Sequence, residues 1–70
     1  MNKYLIVFER TSTGYSAYCP DLPGCIATGS TSTEVEKNMQ EVIAFHLEGL
    51  REEKQFIPSN ESYSKYLQAA

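Results

Sequence analysis

The chain has 70 residues and a formal net charge of −3. This length predicts one domain, residues 1–70, and a core of this size supplies only about 3–5 kcal/mol, so such domains often add self-association. The acidic balance argues against direct nucleic-acid binding, because phosphate is bound by a basic face. The longest apolar run, Tyr4–Phe8, is too short to cross a bilayer, and the N-terminus lacks the pattern of a secretory signal. We therefore predict a cytoplasmic protein with reduced thiols and no membrane association.

The first half of the chain predicts three short strands. Residues 3–9, KYLIVFE, are rich in β-branched and aromatic residues and are apolar on both faces, as in a central strand. A polar connection leads to a second strand, residues 15–19, through Gly14, where a glycine allows a positive φ at low cost. The sequence PDLPG, residues 20–24, predicts a turn, because proline fixes φ and Pro-Gly favours a bend. A third strand should return from Cys25 to residue 28 or 29, completing a meander.

A helix is predicted from about residue 32 to residue 52. The sequence TSTE, residues 31–34, has the pattern of a capping box. Apolar residues and one histidine then follow helical spacing along one stripe: Val35, Met39, Val42, Ile43, His46 and Leu50.

The segment Tyr63–Gln68 fits either a short strand or a short helix, and we favour the strand. A right-handed strand–helix–strand crossover would place it beside the first strand and parallel to it, giving the sheet order 3-2-1-4. The predicted fold is therefore a two-layer α+β domain with the element order β-β-β-α-β. Because one helix covers one face of such a sheet, the other face should expose apolar residues and form an interface.

Few residues in the chain could support chemistry. Cys19, Cys25 and His46 are one ligand short of a closed structural zinc site, and there is no Cys-x-x-Cys. We interpret the cysteines as small apolar residues flanking a bend, and the histidine as a packed residue bonded to backbone. Asp21 and Glu9 are the only acids expected on the sheet or its turns, too few for a two-metal nuclease. We predict no catalytic residue, no metal and no cofactor.

The segment GYSAYCPDLPGCIATGSTSTE, residues 14–34, resembles the signature of the HicB-like antitoxins. EVIAFHLEGL, residues 41–50, and IPSNESYSKYLQAA, residues 57–70, resemble the helix and closing strand of that family. The resemblance implies a type II toxin–antitoxin component that binds a small basic mRNA-cleaving toxin, HicA-like, and covers its active site. It also implies a partial ribonuclease-H-like fold without catalytic acids, and assembly into a homo-dimer or homo-tetramer.

Two features depart from the family pattern. Many members carry a C-terminal DNA-binding domain, whereas this sequence stops at Ala70, so operator binding is not carried over. The usual glycine bend after the helix is replaced by REEKQF, residues 51–56, which predicts a longer or less sharply capped helix end.

The candidate site is the PDLPG bend, read as a structural turn or a partner contact: Pro20, Asp21, Leu22, Pro23 and Gly24. Two alternatives to toxin binding remain open at this point. One is an orphan oligomeric scaffold, and the other is a degenerate metal-dependent nuclease using Asp21 and Glu9.

Overall fold

The computed structural model describes residues 3–70. These residues form an antiparallel sheet and one helix: β1 (Val7–Arg10), β2 (Tyr15–Tyr18), β3 (Ile26–Gly29) and α1 (Ser32–Glu52). The strand order is β1-β2-β3. The predicted α+β class, the meander and the bounds of the helix are confirmed, while β1 is shorter than the predicted strand over residues 3–9.

The hydrophobic core lies between α1 and the two strands it contacts most, β2 and β3. Alanines at facing positions of the sheet, Ala17 and Ala27, are buried and opposite each other. Their small side chains let the helix approach the sheet closely, as dense interior packing requires. The buried set consists of Ala17, Cys19, Leu22, Cys25, Ala27, Val35 and Met39.

The start of α1 is fixed by two side chains. Thr31 is the N-cap, and its hydroxyl accepts a hydrogen bond from the Glu34 N–H at 3.1 Å. The Glu34 carboxylate reaches back to the Ser30 N–H at 2.7 Å and to the Ser30 hydroxyl at 3.2 Å. The predicted capping box therefore forms with one change, since the glutamate binds the residue before the N-cap and holds the connection from β3.

The end of α1 is sharply capped without a glycine. Lys54 lies in the left-handed region with φ of 56°. Its N–H donates to the Arg51 carbonyl at 3.0 Å, and the Gln55 N–H donates to the Leu50 carbonyl at 2.8 Å. This pair of bonds is the Schellman motif. The expectation of a longer or less sharply capped helix end was wrong, because a lysine adopts the conformation that glycine usually supplies.

The fourth strand predicted at Tyr63–Gln68 is absent from this chain, since residues 55–70 form neither helix nor strand. The predicted order 3-2-1-4 is therefore wrong, since the sheet has the three strands β1-β2-β3, and the implied ribonuclease-H-like fold is not confirmed. The Tyr4 hydroxyl donates to the Pro58 carbonyl, and the Asp21 carboxylate binds Ser62. After α1 the chain is therefore bound first to a residue that precedes β1 and then to the β2–β3 bend.

Over residues 3–70, no helix combines the length and the apolar character that a membrane span requires.

Candidate functional site

The PDLPG bend is a hydrogen-bonded turn between β2 and β3. The Cys19 N–H donates to the Cys25 carbonyl, the Leu22 N–H to the Cys19 carbonyl, and the Cys25 N–H to the Leu22 carbonyl, each at 3.2 Å. Gly24 has φ of 88°, in the left-handed region that side chains other than glycine rarely adopt. The bend thus depends on glycine at this position for its backbone path.

Leu22 lies inside the bend and is fully buried in the core. Sequence reasoning placed it among possible partner contacts and missed its packing role. The sequence signal for this packing role was that Leu22 is the single aliphatic residue among proline, aspartate and glycine. The residues of the bend that remain exposed are Pro20, Pro23 and Gly24.

Asp21 tethers the C-terminal segment to the bend. One carboxylate oxygen accepts from the N–H groups of Glu61 and Ser62, at 3.2 and 3.1 Å. The other oxygen accepts from the Ser62 hydroxyl at 2.9 Å. Desolvation acts to raise the pKa of this carboxyl, but the hydrogen bonds from Ser62 and Glu61 together outweigh it and hold the pKa below its ordinary value of 3.8. Asp21 therefore binds residues 40 and 41 positions away in the chain.

The two cysteines are buried free thiols on either side of the bend. Burial raises the pKa of the Cys25 thiol, and the nearby Cys19 adds to the effect. Both influences favour the protonated thiol, which is the unreactive form. Their interpretation as small apolar residues flanking the bend is confirmed.

The other residues considered as metal ligands or catalytic acids do not lie close together. His46 is half-buried on α1, but the predicted bond from its ring to backbone is not among the side-chain hydrogen bonds within residues 3–70. Glu9 pairs with Ser16, three residues before Cys19, so it lies about 10 Å along the sheet from the end where Asp21 sits. In the part of the chain that the structure describes, no three histidine, cysteine or acidic side chains are close enough to hold a metal ion.

An open groove of about 750 Å³ lies between the first strand and α1. It exists because α1 packs over β2 and β3 and leaves the inner side of β1 uncovered. We call it the β1 groove; its apolar lining includes Tyr4, Ile6, Phe8, Met39, Ile43 and Leu47.

The face of the sheet opposite α1 carries a row of apolar side chains, which we call the outer row: Val7, Tyr18 and Ile26. These residues are cross-strand partners, and they alternate with the buried alanines, so they point away from the helix. Ile26 is 62% exposed. Tyr18 and Ile26 each lie one residue beyond the cysteines that flank the bend, so the outer row ends next to the bend.

Comparison with known proteins points to one family. A family model described as a HicB-like antitoxin of the bacterial toxin–antitoxin system matches residues 4–70. One chain of a solved HicA3 and HicB3 toxin–antitoxin complex superposes with a TM-score of 0.70 at 35% identity, covering 86% of this chain and 70% of that one.

Curated relatives extend from a phage to a cyanobacterium and an archaeon. An uncharacterized 14.9 kDa protein of Haemophilus phage HP1 is 36% identical over 64 residues, which is 91% of this chain and 48% of the relative. The UPF0150 protein ssr1765 of Synechocystis is 35% identical, covering 91% of this chain and 82% of its own. The UPF0150 protein Ta0767 of Thermoplasma acidophilum is 33% identical, covering 80% and 83%. The chain thus spans about half the length of the phage relative and most of the other two.

Proposed function

Since the chain belongs to the HicB-like antitoxin family, we propose that it binds a HicA-like toxin and blocks the toxin's mRNA-cleaving site. The observation that carries the proposal is the likeness to a chain of the HicA3 and HicB3 complex, at 35% identity over most of this fold. The mechanism is steric: a preformed surface covers the toxin's active site, and no covalent step is involved.

The charge of the chain supports a basic partner. Its net charge of −3 attracts a basic toxin at long range, which raises the association rate more than the final affinity. The same charge disfavours direct binding of nucleic acid. We place the protein in the cytoplasm, where its target's mRNA substrate is found, and we propose that it works as a homo-dimer or homo-tetramer.

We assign toxin contact to the outer row together with the exposed tip of the bend. Tyr18 and Ile26 expose apolar surface, and an aromatic or aliphatic anchor at the centre of a patch is the usual energetic core of an interface. Pro20 and Pro23 extend this patch at its edge with rigid backbone, which costs little entropy on binding. Within the bend we therefore assign Pro20 and Pro23 to toxin contact, and Asp21, Leu22 and Gly24 to maintaining the structure.

The positions of the acidic residues Asp21 and Glu9 support a non-enzymatic role. The nuclease alternative needs Asp21 and Glu9 at one metal site, but both oxygens of Asp21 are bound by the C-terminal segment. The ladder places Glu9 further along the sheet. We therefore assign no catalytic residue and no cofactor.

The test uses the chain with the HicA-like toxin encoded beside its gene. A stoichiometric amount of the chain should stop RNA cleavage by the toxin in vitro and restore growth when both are expressed. The double variant Tyr18→Asp/Ile26→Asp should lose inhibition. Phe45→Asp, at a more exposed aromatic position on α1, serves as the control and should inhibit as the original chain does.

Two results would contradict the proposal at different levels. If the toxin still cleaves RNA when the chain is in molar excess over it, the antitoxin role is rejected and the oligomeric scaffold is favoured. Full inhibition by the outer-row variant would reject only the assigned surface.

A further inference from the structure

The outer edge of β1 presents unpaired backbone groups. The Thr11 N–H donates to the Gly14 carbonyl at 2.8 Å, which sets the alternation of the β1–β2 ladder. Glu9 is then hydrogen-bonded to Ser16, while Phe8 and Arg10 direct their N–H and C=O groups outward. Within residues 3–70, no backbone hydrogen bond uses the outward groups of these two residues.

The opposite edge of the sheet is partly closed. Thr28 of β3 faces Ser16, and by the same alternation its carbonyl points outward. The Asn38 side chain of α1 donates to that carbonyl at 3.1 Å. The β1 edge is therefore open, whereas α1 covers part of the β3 edge, as sheet proteins often cover an edge.

The segment Tyr63–Gln68 has the complementary features. It lacks regular structure, and its apolar side chains are in solvent: Tyr63 is 80% exposed, Leu67 is 84% exposed and Tyr66 is fully exposed. The bonds from Asp21 to Ser62 hold its start at the β2–β3 bend, and the segment does not pair with β1 of its own chain.

We propose that residues 63–68 of one copy add as a fourth strand to the β1 edge of a second copy, and that the two copies exchange these segments. Strand addition supplies main-chain hydrogen bonds for the open edge and places alternate side chains on the two faces. Tyr66 enters the β1 groove. Tyr63, Lys65 and Leu67 lie on the other face, next to Val7 and Glu9.

The chemistry of the segment fits this placement. Lys65 is brought to the face that carries Glu9, which pairs opposite charges across neighbouring strands. Two tyrosines and a leucine bury on the order of 500 Å² on the segment, and a similar area on the surface they cover. A reciprocal exchange therefore buries roughly 2,000 Å², the size of a stable dimer interface. Of the outer row, Val7 lies on β1, whereas Tyr18 and Ile26 lie on β2 and β3, so the exchange can be tested without the toxin.

The test measures self-association of the full chain by sedimentation velocity. The double variant Tyr66→Asp/Leu67→Asp should weaken association by about 100-fold or more, because it places two charges where anchors are buried. Both residues are exposed in the single chain, so its fold should be retained. Ala69→Asp/Ala70→Asp adds the same charge just beyond the proposed strand and should associate as the original chain does.

A second variant tests the edge itself. Phe8→Pro removes an outward N–H together with a side chain that lines the β1 groove, and it removes none of the N–H groups of the β1–β2 ladder; it should also prevent association. Glu9→Pro removes an N–H of the ladder and should lower stability instead. The double variant Tyr66→Asp/Leu67→Asp, here called the tail variant, keeps an intact β1 edge, and Phe8→Pro keeps an intact segment. A mixture of the two should therefore form a heterodimer through a single strand addition.

The tail variant decides the matter even if Phe8→Pro does not fold. A chain that stays monomeric at high micromolar concentration, or a tail variant that associates as strongly as the original, would overturn the exchange. Association that survives in the tail variant but is lost in the outer-row variant would show that the copies pair through the other face.

Discussion

At the scale of single residues, two glycines serve different physical needs. Gly14 was predicted for its freedom to adopt positive φ, but the positive φ among the described glycines is found at Gly24. A Cβ at Gly14 would instead lie 2.8 Å from the Ser30 Cα and in conflict with the Gly29 carbonyl. Gly14 is therefore required because the loop after β1 passes against the connection from β3 to α1, and the reason given from sequence was wrong.

Gly24→Val should lower the free energy of unfolding by about 1–2 kcal/mol, because a side chain in the left-handed region is strained. An added Cβ at Gly24 meets no atom within 4 Å, so the loss would come from the backbone and not from a clash. Urea unfolding measures it. Gly49→Ala is the control: its Cβ also meets nothing within 4 Å, but in a helix it should raise stability by up to about 1 kcal/mol. An unchanged midpoint for Gly24→Val would contradict the role of φ.

Asp21 should make the chain less stable in acid. The pKa of Asp21 is lowered in the folded chain, so its stabilising contribution is present above the unfolded pKa and is lost as pH falls through the folded pKa. Unfolding midpoints of the original chain and of Asp21→Asn should therefore differ at neutral pH and converge as the pH falls below the lowered pKa of Asp21. A difference that stays constant across this range would show that the Asp21 charge does not hold Ser62.

At the scale of elements, α1 was predictable because its signals are local. The N-cap at Thr31 lies within one turn of the glutamate that completes the capping pattern, and the apolar stripe repeats with helical spacing. Its C-terminal end was not predictable in the same way. The sequence there has no glycine, so the sharp end depends on Lys54 accepting a conformation that its side chain disfavours.

Lys54→Gly should stabilise the chain by about 0.5–1 kcal/mol, because glycine adopts the left-handed conformation without the Cβ penalty. The Schellman bonds of Lys54 and Gln55 use backbone atoms alone, so the substitution keeps them. Thermal or urea unfolding measures the change. Glu52→Gly, inside the last turn of α1, is the matched control and should destabilise by about 1 kcal/mol. A loss of stability in Lys54→Gly would mean that the lysine side chain supports the cap.

At the scale of the whole molecule, the single chain is extended. Its radius of gyration is 13.6 Å and its longest dimension is 46 Å, whereas a compact chain of this length has a radius of gyration of about 11 Å. The excess fits a C-terminal segment that projects from a small core. One helix does not cover all the apolar surface of the chain. Such surface remains on the β1 groove, the outer row and the C-terminal segment, and we therefore propose both a toxin contact and a strand exchange.

The amino-acid sequence alone determined the α+β class, the meander, the helix from Ser32 to Glu52, the need for glycine at position 24 and the family. These features follow from signals within a few residues of each other: alternation, turn chemistry, caps and helical spacing. Tertiary structure decided that Leu22 is core, that Asp21 binds Ser62, and that the segment at Tyr63–Gln68 does not pair with its own β1. Each of these joins positions far apart in the chain or depends on which sheet edge is left open, and no local pattern encodes such a contact.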